Sequence, residues 1–268
     1  MTPMQSKVTG SGALLVLVPG GLTGWVSWEP HEARLSATRK VVRVQLLSVQ
    51  YGLEDRALGP DYSVKTESKA LTATLDRLGL KQPIDIAAWS FGALVTLDFA
   101  LDSPQRVRSL TLIEPPAFWL LRDKGQIDQE AEDVMGTLAS IKDGEISEDD
   151  LEKFMCAVGL CPPGAPVRQL PQWPNWVKFR RSLRNTPAVL RHKDRAARLK
   201  SIKCPVLLVK GVGSARFLRQ VIDLLGKELP QAEVIELPAG HAPHIVSMDR
   251  FLEKLNNHLA RVGRPAAR

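Results

Sequence analysis

A serine at position 90 stands where a segment of strand length gives way to a helical one. The apolar segment Ile84 to Trp89 precedes Ser90, and a helix-like segment, Ala93 to Leu101, follows shortly after it. Residues 88–92 read Ala-Trp-Ser-Phe-Gly, a G-x-S-x-G motif with alanine in its first position. Such a corner lifts a hydroxyl out of the sheet at a helix N-terminus, where free backbone N–H groups favour an oxyanion. The pattern predicts a nucleophilic Ser90, and the alternative is an ordinary helix N-cap serine.

Two other features lie at the ends of predicted strands. Gly20 and Gly21 come just after the apolar segment Ala13 to Val18, and adjacent glycines let backbone approach a ligand closely. His241 stands in a short loop after the last predicted strand. Ligands of open parallel sheets bind at the carboxyl ends of the strands, so these residues are expected to converge on Ser90. The sequence therefore predicts His241 as a residue of the same site, and the alternative is a structural loop histidine.

The elements that must position these residues alternate between strand-like and helical patterns. Helical spacing occurs in Leu71, Leu75 and Leu78, and again in the segment from Phe217 to Leu225. Strands followed by helices predict a parallel sheet buried on both faces. Between Pro115 and Ile202 the alternation stops, which predicts a helical insertion. The predicted strands are Ala13 to Val18, Val41 to Val49, Ile84 to Trp89, Val107 to Ile113, Pro205 to Val209 and Glu233 to Leu237.

Composition limits the class of protein. The 268 residues are 44% hydrophobic and 24% charged, which is typical of a globular domain with a sizeable core. The apolar run Ala13 to Val18 is far too short to span a membrane, and no basic leader precedes it. The three cysteines form an odd set without a CxxC pair, which argues against both a disulfide framework and a zinc site. We expect a soluble cytoplasmic protein without a metal.

The charge of the chain is unevenly distributed. The formal net charge is +7, but residues 126–153 carry ten acidic and two basic side chains, a net charge of −8. Residues 178–200 carry nine basic side chains and one acidic one, a net charge of +8. No aromatic residues interleave with the basic ones in a stacking pattern. The charge therefore predicts a solvated or mutually paired surface, and a nucleic-acid partner is not expected.

From about Leu14 to Leu259 the sequence resembles α/β-hydrolases of the capped serine-hydrolase type. The resemblance is carried by the elbow at Ser90, the glycines at 20 and 21, and His241, in that order. It implies an α/β fold with eight mostly parallel strands and flanking helices, although residues 1–12 leave little room for the usual first hairpin. It also implies a helical cap inserted after the sixth strand. The expected division is a core of residues 1–115 and 203–268 and a cap of residues 116–202.

The resemblance implies a role for each site residue. Ser90 is the expected nucleophile, His241 the base, and the backbone N–H groups of Gly21 and Phe91 the oxyanion hole. Relatives usually have His-Gly where this chain has Pro19-Gly20. Because the donor is the N–H of the following residue, the proline leaves the oxyanion hole intact. Such a site works through an acyl-serine intermediate and needs no cofactor.

The acid of the triad departs from the family pattern. Relatives carry Gly-x-x-Asp after the seventh strand, whereas this chain has Gly211-Val-Gly-Ser214. Some relatives place the carboxylate after the sixth strand, where Glu114 follows Val107 to Ile113. We therefore predict Glu114 as the acid, and the alternative is a salt-bridged or lid-anchoring glutamate. Asp249 in the last helix is a poorer candidate, and Ser214 is expected to cap a helix.

The substrate must be inferred from the insertion and the elbow. Tryptophans there predict the roof of an apolar pocket for an acyl or aromatic ester, and their alternative role is packing of one cap helix on another. Cys156 and Cys161 are expected to be buried cap residues. The predicted substrate-binding residues are Gly20, Leu22, Trp89, Trp119, Trp173 and Trp176.

Two other functions remain open at this point. The same site can act on a lactone or a carbon–carbon bond, or as a non-hydrolytic cyclase. Alternatively, the absence of a carboxylate at Ser214 is consistent with a ligand-binding protein whose catalytic activity has decayed. Turnover of a simple ester distinguishes an enzyme from a binding protein.

Overall fold

The computed structural model of the chain describes residues 2–141, 144–161 and 164–262. Its centre is a seven-stranded sheet in the order β1-β3-β2-β4-β5-β6-β7, in which only β1 runs antiparallel to its neighbour. The predicted α/β fold with a mostly parallel sheet is thus confirmed. The strands are Gln5–Thr9 (β1), Ala13–Val18 (β2), Arg39–Gln45 (β3), Ile84–Trp89 (β4), Val107–Ile113 (β5), Val206–Gly211 (β6) and Ala232–Leu237 (β7).

Helices cover both faces of this sheet. None of those in the described ranges combines the length and the apolar composition needed to cross a bilayer. The α-helices are Glu29–Leu35 (α1), Leu47–Leu53 (α2), Val64–Arg77 (α3), Phe91–Asp102 (α4), Phe118–Asp123 (α5), Gln129–Ser140 (α6), Glu148–Ala157 (α7), Trp173–Phe179 (α8), Thr186–Arg191 (α9), Arg216–Glu228 (α10), Pro243–Val246 (α11) and Met248–Val262 (α12).

The alternation of side chains along each strand divides the core into two layers. In β2, Val16 and Val18 pack in the layer that includes residues of α3, α4 and α10. Leu15 and Leu17 point to the other layer, which includes residues of α12. Both layers are apolar, which is why the central strands read as continuous hydrophobic runs. The carboxyl ends of these strands are thereby fixed along one edge.

Two predictions about strands were wrong in detail. The predicted strand Val41 to Val49 ends at Gln45, because α2 begins at Leu47. The buried carboxylate of Glu67 accepts the free backbone N–H groups of Leu47 and Ser48 at 2.9 and 2.8 Å, and so stabilises a helix start that the apolar run conceals. In the described chain the sheet has seven strands and not eight, since the segment before β2 supplies β1 alone.

The insertion follows the fifth strand in chain order. The resemblance to the family implied that it would follow the sixth strand. Between β5 and β6 the described residues form α5 to α9 and short 3₁₀ turns, without a strand. A helical insertion at this place is what the sequence predicted. The division into a core of residues 1–115 and 203–268 and a cap of residues 116–202 stays a prediction.

Candidate active site

Ser90 occupies a strained corner between β4 and α4. Its backbone lies in the left-handed region, with φ 54° and ψ −124°. The Ser90 N–H donates to the Ile113 carbonyl at 2.8 Å, and the Ser90 carbonyl accepts the Leu94 N–H at 3.1 Å. A Cβ at Gly92 would collide with the Pro19 carbonyl oxygen, which explains the glycine that ends the motif. The fold thus holds a costly conformation that presents the hydroxyl above the sheet edge.

A chain of two short hydrogen bonds joins Ser90, His241 and Glu114. The Ser90 Oγ lies 2.8 Å from His241 Nε2, and His241 Nδ1 lies 2.7 Å from Glu114 Oε2. His241 is 2% exposed and Glu114 is fully buried. A carboxylate that accepts a hydrogen bond from the Nδ1–H group keeps the ring proton on Nδ1. The other ring nitrogen, Nε2, is then the acceptor for the serine hydroxyl. The structure therefore brings together the three residues that the sequence selected from distant parts of the chain.

Glu114 is built into the end of β5. Its backbone has φ 46°, and its N–H donates to the Val209 carbonyl at 3.2 Å. Its second carboxylate oxygen, Oε1, accepts the Gly211 N–H at 2.7 Å, so the side chain also ties β5 to β6. Asp249 is 85% exposed and pairs with Arg34 at the surface, away from this site.

The loop that carries His241 is fixed from both sides. The His241 N–H donates to the Gly159 carbonyl at 3.0 Å, and the His241 carbonyl accepts the indole N–H of Trp89 at 2.7 Å. His244, three residues further on, is buried between Trp28 and Trp89, with ring centroids 4.6 and 4.7 Å away. Burial lowers the pKa of His244 well below its ordinary value, so the ring is neutral.

The predicted oxyanion donors lie beside the serine. A Cβ at Gly21 would lie 3.0 Å from the Phe91 Cβ, which shows how closely the two residues approach. Within residues 2–141, 144–161 and 164–262, neither the Gly21 N–H nor the Phe91 N–H has a hydrogen-bond partner. Asn185 Nδ2 donates to the Gly21 carbonyl at 3.2 Å and so holds this loop from the insertion. No sequence pattern predicted this contact.

A small, mostly apolar cavity opens at Ser90 and His241. Its volume is about 30 Å³. The insertion supplies half of its wall, and α10 supplies Phe217 and Leu218. Besides Ser90 and His241 the lining residues are Gly21, Phe91, Pro116, Leu138, Phe154, Val158, Asn185, Thr186, Val189, Phe217 and Leu218.

The predicted pocket tryptophans lie elsewhere, and the structure does not bring them to this cavity. Trp89 packs beneath it, against Gly20, where it holds the His241 loop. Trp119 is buried in α5, and Trp173 donates its indole N–H to Glu148 at 3.1 Å. The remaining two predicted residues, Trp176 and Leu22, pack in or against the hydrophobic core. Their large apolar surfaces hold elements together and do not line this cavity.

Three side chains of the kinds that bind metal ions lie together beside the C-terminal half of α4. Carboxylate oxygens of Asp98 and Asp194 and a ring nitrogen of His192 lie within 4.8 Å of one another. Lys65 Nζ lies 2.9 Å from Asp98, and an Arg198 nitrogen lies 2.7 Å from Asp194. These two cations neutralise the carboxylates, so the cluster is an ion-pair network.

The chain is similar in sequence to known hydrolases. The chain is 26% identical over 254 residues to a pimeloyl-[acyl-carrier protein] methyl ester esterase of Aeromonas salmonicida, covering 91% of this chain and 94% of that one. A 2-hydroxy-6-oxo-2,4-heptadienoate hydrolase of Pseudomonas putida is 36% identical over 107 residues, which are 39% of this chain and only 38% of the relative.

The fold is shared with solved structures at low sequence identity. A thermophilic esterase of Thermogutta terrifontis superposes with a TM-score of 0.74 at 18% identity, covering 97% of this chain and 94% of the other. The model of the alpha/beta hydrolase family matches residues 15–254. The chain, with its serine elbow and its histidine at the carboxyl edge of the sheet, therefore belongs to the alpha/beta hydrolase family.

Proposed function

We propose that this protein is a serine hydrolase that cleaves carboxylic esters of apolar or aromatic small molecules through an acyl-Ser90 intermediate. The observation that carries the proposal is the buried chain from Glu114 through His241 to Ser90. A helix N-cap serine needs no histidine within hydrogen-bond distance and no strained φ. Serine, imidazole and carboxylate in this order are the parts of an acyl-transfer site.

Each residue has a defined task in the proposed reaction. His241 Nε2 accepts the Ser90 proton as Oγ attacks the ester carbonyl, and Glu114 stabilises the resulting imidazolium. The free N–H groups of Gly21 and Phe91 donate to the oxyanion. His241 then protonates the leaving alcohol and afterwards activates the water that releases the acid. These steps use only groups of the protein itself and water, and we propose no cofactor.

The cavity favours a small apolar acyl group. The cavity is small, about 30 Å³, and most of its lining side chains are apolar. Longer acyl chains therefore need displacement of insertion residues such as Phe154 and Val158. Because the insertion supplies half of the wall, we propose residues 116–202 as a cap over the site. The esterase name of the Aeromonas relative also supports an ester substrate.

The protein is proposed to act in a reducing compartment, such as the cytoplasm, on a small molecule. The thiols of Cys156, Cys161 and Cys204 are all free, which supports this location. Basic residues of the stretch 178–200 pair with carboxylates, as Arg198 does with Asp102 at 2.7 Å. Such pairing leaves fewer unpaired positive charges that could bind the phosphates of a nucleic acid.

The test uses a substrate and a covalent probe. Wild-type protein is expected to hydrolyse p-nitrophenyl acetate or butyrate and to react with a fluorophosphonate at Ser90. Ser90→Ala abolishes both, and His241→Ala lowers both steeply. Ser140→Ala is the matched control, because that exposed hydroxyl only donates to the Thr137 carbonyl. Absence of both turnover and labelling in the wild type, with ligands that stabilise it thermally, would instead support a binding protein.

Hydrolysis of a carbon–carbon bond is the second candidate. It is favoured by the local match to the Pseudomonas relative, whose named substrate, 2-hydroxy-6-oxo-2,4-heptadienoate, contains no ester. The match covers little of that relative, so the ester proposal stands first. A value of kcat/KM for this dienoate above that for p-nitrophenyl butyrate would reverse the order.

A further inference from the structure

Two cysteines of the insertion lie side by side. Cys156 is in the last turn of α7, and Cys161 follows the turn that ends this helix. Their Sγ atoms are 3.3 Å apart. Cys156 is exposed, whereas Cys161 is 4% exposed. The prediction that both are buried cap residues is thus wrong for Cys156, because its thiol faces solvent at the end of the helix.

Both thiols line a wide cleft that shares no residue with the Ser90 cavity. This cleft has a volume of about 740 Å³ and is bounded by α6, α7, the start of α10 and the loops at residues 213 and 240. A small oxidant therefore reaches the pair without passing through the active site. A disulfide has an S–S distance of about 2.05 Å, so closure requires the sulfurs to approach by about 1.3 Å.

The turn between the two cysteines contacts the catalytic residues directly. Val158 lines the Ser90 cavity. The backbone carbonyl of the following residue, Gly159, accepts a hydrogen bond from the His241 N–H at 3.0 Å. Gly159 has φ 74°, and a Cβ there would lie 2.9 Å from the Ala215 nitrogen, so the turn is tightly packed. Any movement of the sulfurs is thereby transmitted to the loop that holds the histidine.

We propose that Cys156 and Cys161 form a redox-active dithiol, which a peroxide converts into a disulfide, and that this disulfide lowers the rate of ester hydrolysis by displacing the Gly159 carbonyl from His241. The rate part of this proposal rests on the proposed esterase function. The disulfide itself does not depend on it.

The chemistry assigns a different role to each sulfur. The thiolate of exposed Cys156 attacks one peroxide oxygen, the O–O bond breaks, and a sulfenic acid and hydroxide form. Burial raises the pKa of Cys161 to about 12, which keeps this thiol protonated and unreactive towards peroxide, so Cys156 is oxidised first. The Cys161 sulfur attacks the Cys156 sulfenic sulfur, and the displaced hydroxide leaves as water with the Cys161 proton. In total, two thiols lose two hydrogens and one peroxide becomes two waters.

The experiment compares reduced and peroxide-treated protein. Oxidised wild type is expected to lose two hydrogens by intact mass, and the same loss should be found in its tryptic peptide of residues 154–168, which contains both Cys156 and Cys161. The kcat for p-nitrophenyl butyrate should fall about tenfold, less than the roughly hundredfold that a 1 Å misplacement can cost. Dithiothreitol should restore both the mass and the rate.

Two variants separate this pair from other effects of peroxide. Cys156→Ser should keep the reduced rate and resist inactivation, because an exposed serine fits there and leaves Cys161 without a partner. Cys204→Ser is the matched control and should respond like the wild type, since Cys204 lies outside the cleft.

The outcomes divide clearly. The proposal is overturned if the peptide of residues 154–168 keeps both thiol hydrogens after peroxide, if the disulfide forms without a change in rate, or if Cys156→Ser is inactivated as much as the wild type. If the reduced enzyme neither hydrolyses esters nor labels at Ser90, the proposed function fails, and absence of the disulfide from this peptide would still be a separate failure of the dithiol.

Discussion

Replacing Glu114 by glutamine tests the catalytic chain most directly. The change keeps the size of the side chain and an acceptor oxygen for the Gly211 N–H, which Oε1 now accepts at 2.7 Å. It replaces the oxygen that faces His241 Nδ1 at 2.7 Å with an amide N–H donor. Nδ1 must then become the acceptor, which puts the ring proton on Nε2. That nitrogen lies 2.8 Å from the Ser90 Oγ and can no longer take its proton.

The expected loss follows from the wrong tautomer and the missing negative charge. Comparable carboxylate-to-amide changes in serine triads lower kcat by about 10⁴. We expect a fall of about 10³ to 10⁴ in kcat for p-nitrophenyl butyrate, equal to about 4 to 5.5 kcal/mol of activation free energy. KM should change little, because Glu114 does not line the cavity. The rate of fluorophosphonate labelling should fall in parallel.

Asp249→Asn is the matched control. It makes the same chemical change at an exposed carboxylate that pairs with Arg34, and is expected to leave kcat unchanged. Thermal unfolding of both variants checks that each is folded. A Glu114→Gln enzyme as fast as the Asp249→Asn control would refute the assignment of Glu114 as the triad acid.

Three more outcomes follow from the site. Asn185→Ala should lower kcat about tenfold through loss of one positioning contact to Gly21, and steady-state kinetics measure this loss. Phe154→Ala should enlarge the cavity, so the ratio of kcat/KM for p-nitrophenyl octanoate over acetate should rise; an unchanged ratio would contradict the acyl-pocket assignment. Burial lowers the pKa of His244 and His31 in the folded chain, so both rings bind protons less readily there than in the unfolded chain. Below about pH 6.5 the unfolded chain binds protons that the folded chain does not, and the free energy of unfolding should fall as pH decreases. Urea titrations should show a weaker pH dependence in His244→Leu.

The sequence was informative where function depends on local chain order. Ser90 and His241 each follow a strand whose apolar run is unmistakable, and parallel strands bring such ends to one edge. Glu114 directly follows β5, beside the strand that leads into the elbow, and was chosen because some α/β-hydrolase relatives place the acid at that strand end. These predictions therefore required knowledge of which segments are strands and of the pattern of the family.

The cavity wall could not be predicted from the sequence. Trp173 and Trp176 have helical spacing, but spacing does not say which face of an inserted helix turns to the site. Asn185 contacts the Gly21 loop across a large part of the chain, with no local pattern to mark it. The boundary between β3 and α2 was missed for the same reason, since the carboxylate of Glu67 that stabilises the helix start lies twenty residues further on.

A triad acid can be supplied by either of two neighbouring strands, because their ends are nearly equivalent positions. β5 and β6 are adjacent and parallel, so Glu114 after β5 and Ser214 after β6 both stand at the edge where His241 lies. An imidazolium is stabilised by the position and charge of the carboxylate, whichever strand supplies it. Glutamate also has the extra methylene to accept the Gly211 N–H while it reaches Nδ1, which anchors it between the two strands. The absence of a carboxylate at Ser214 is therefore compatible with an intact mechanism. The kinetics of Glu114→Gln decide whether the enzyme uses Glu114 as its acid, which the sequence motif alone does not.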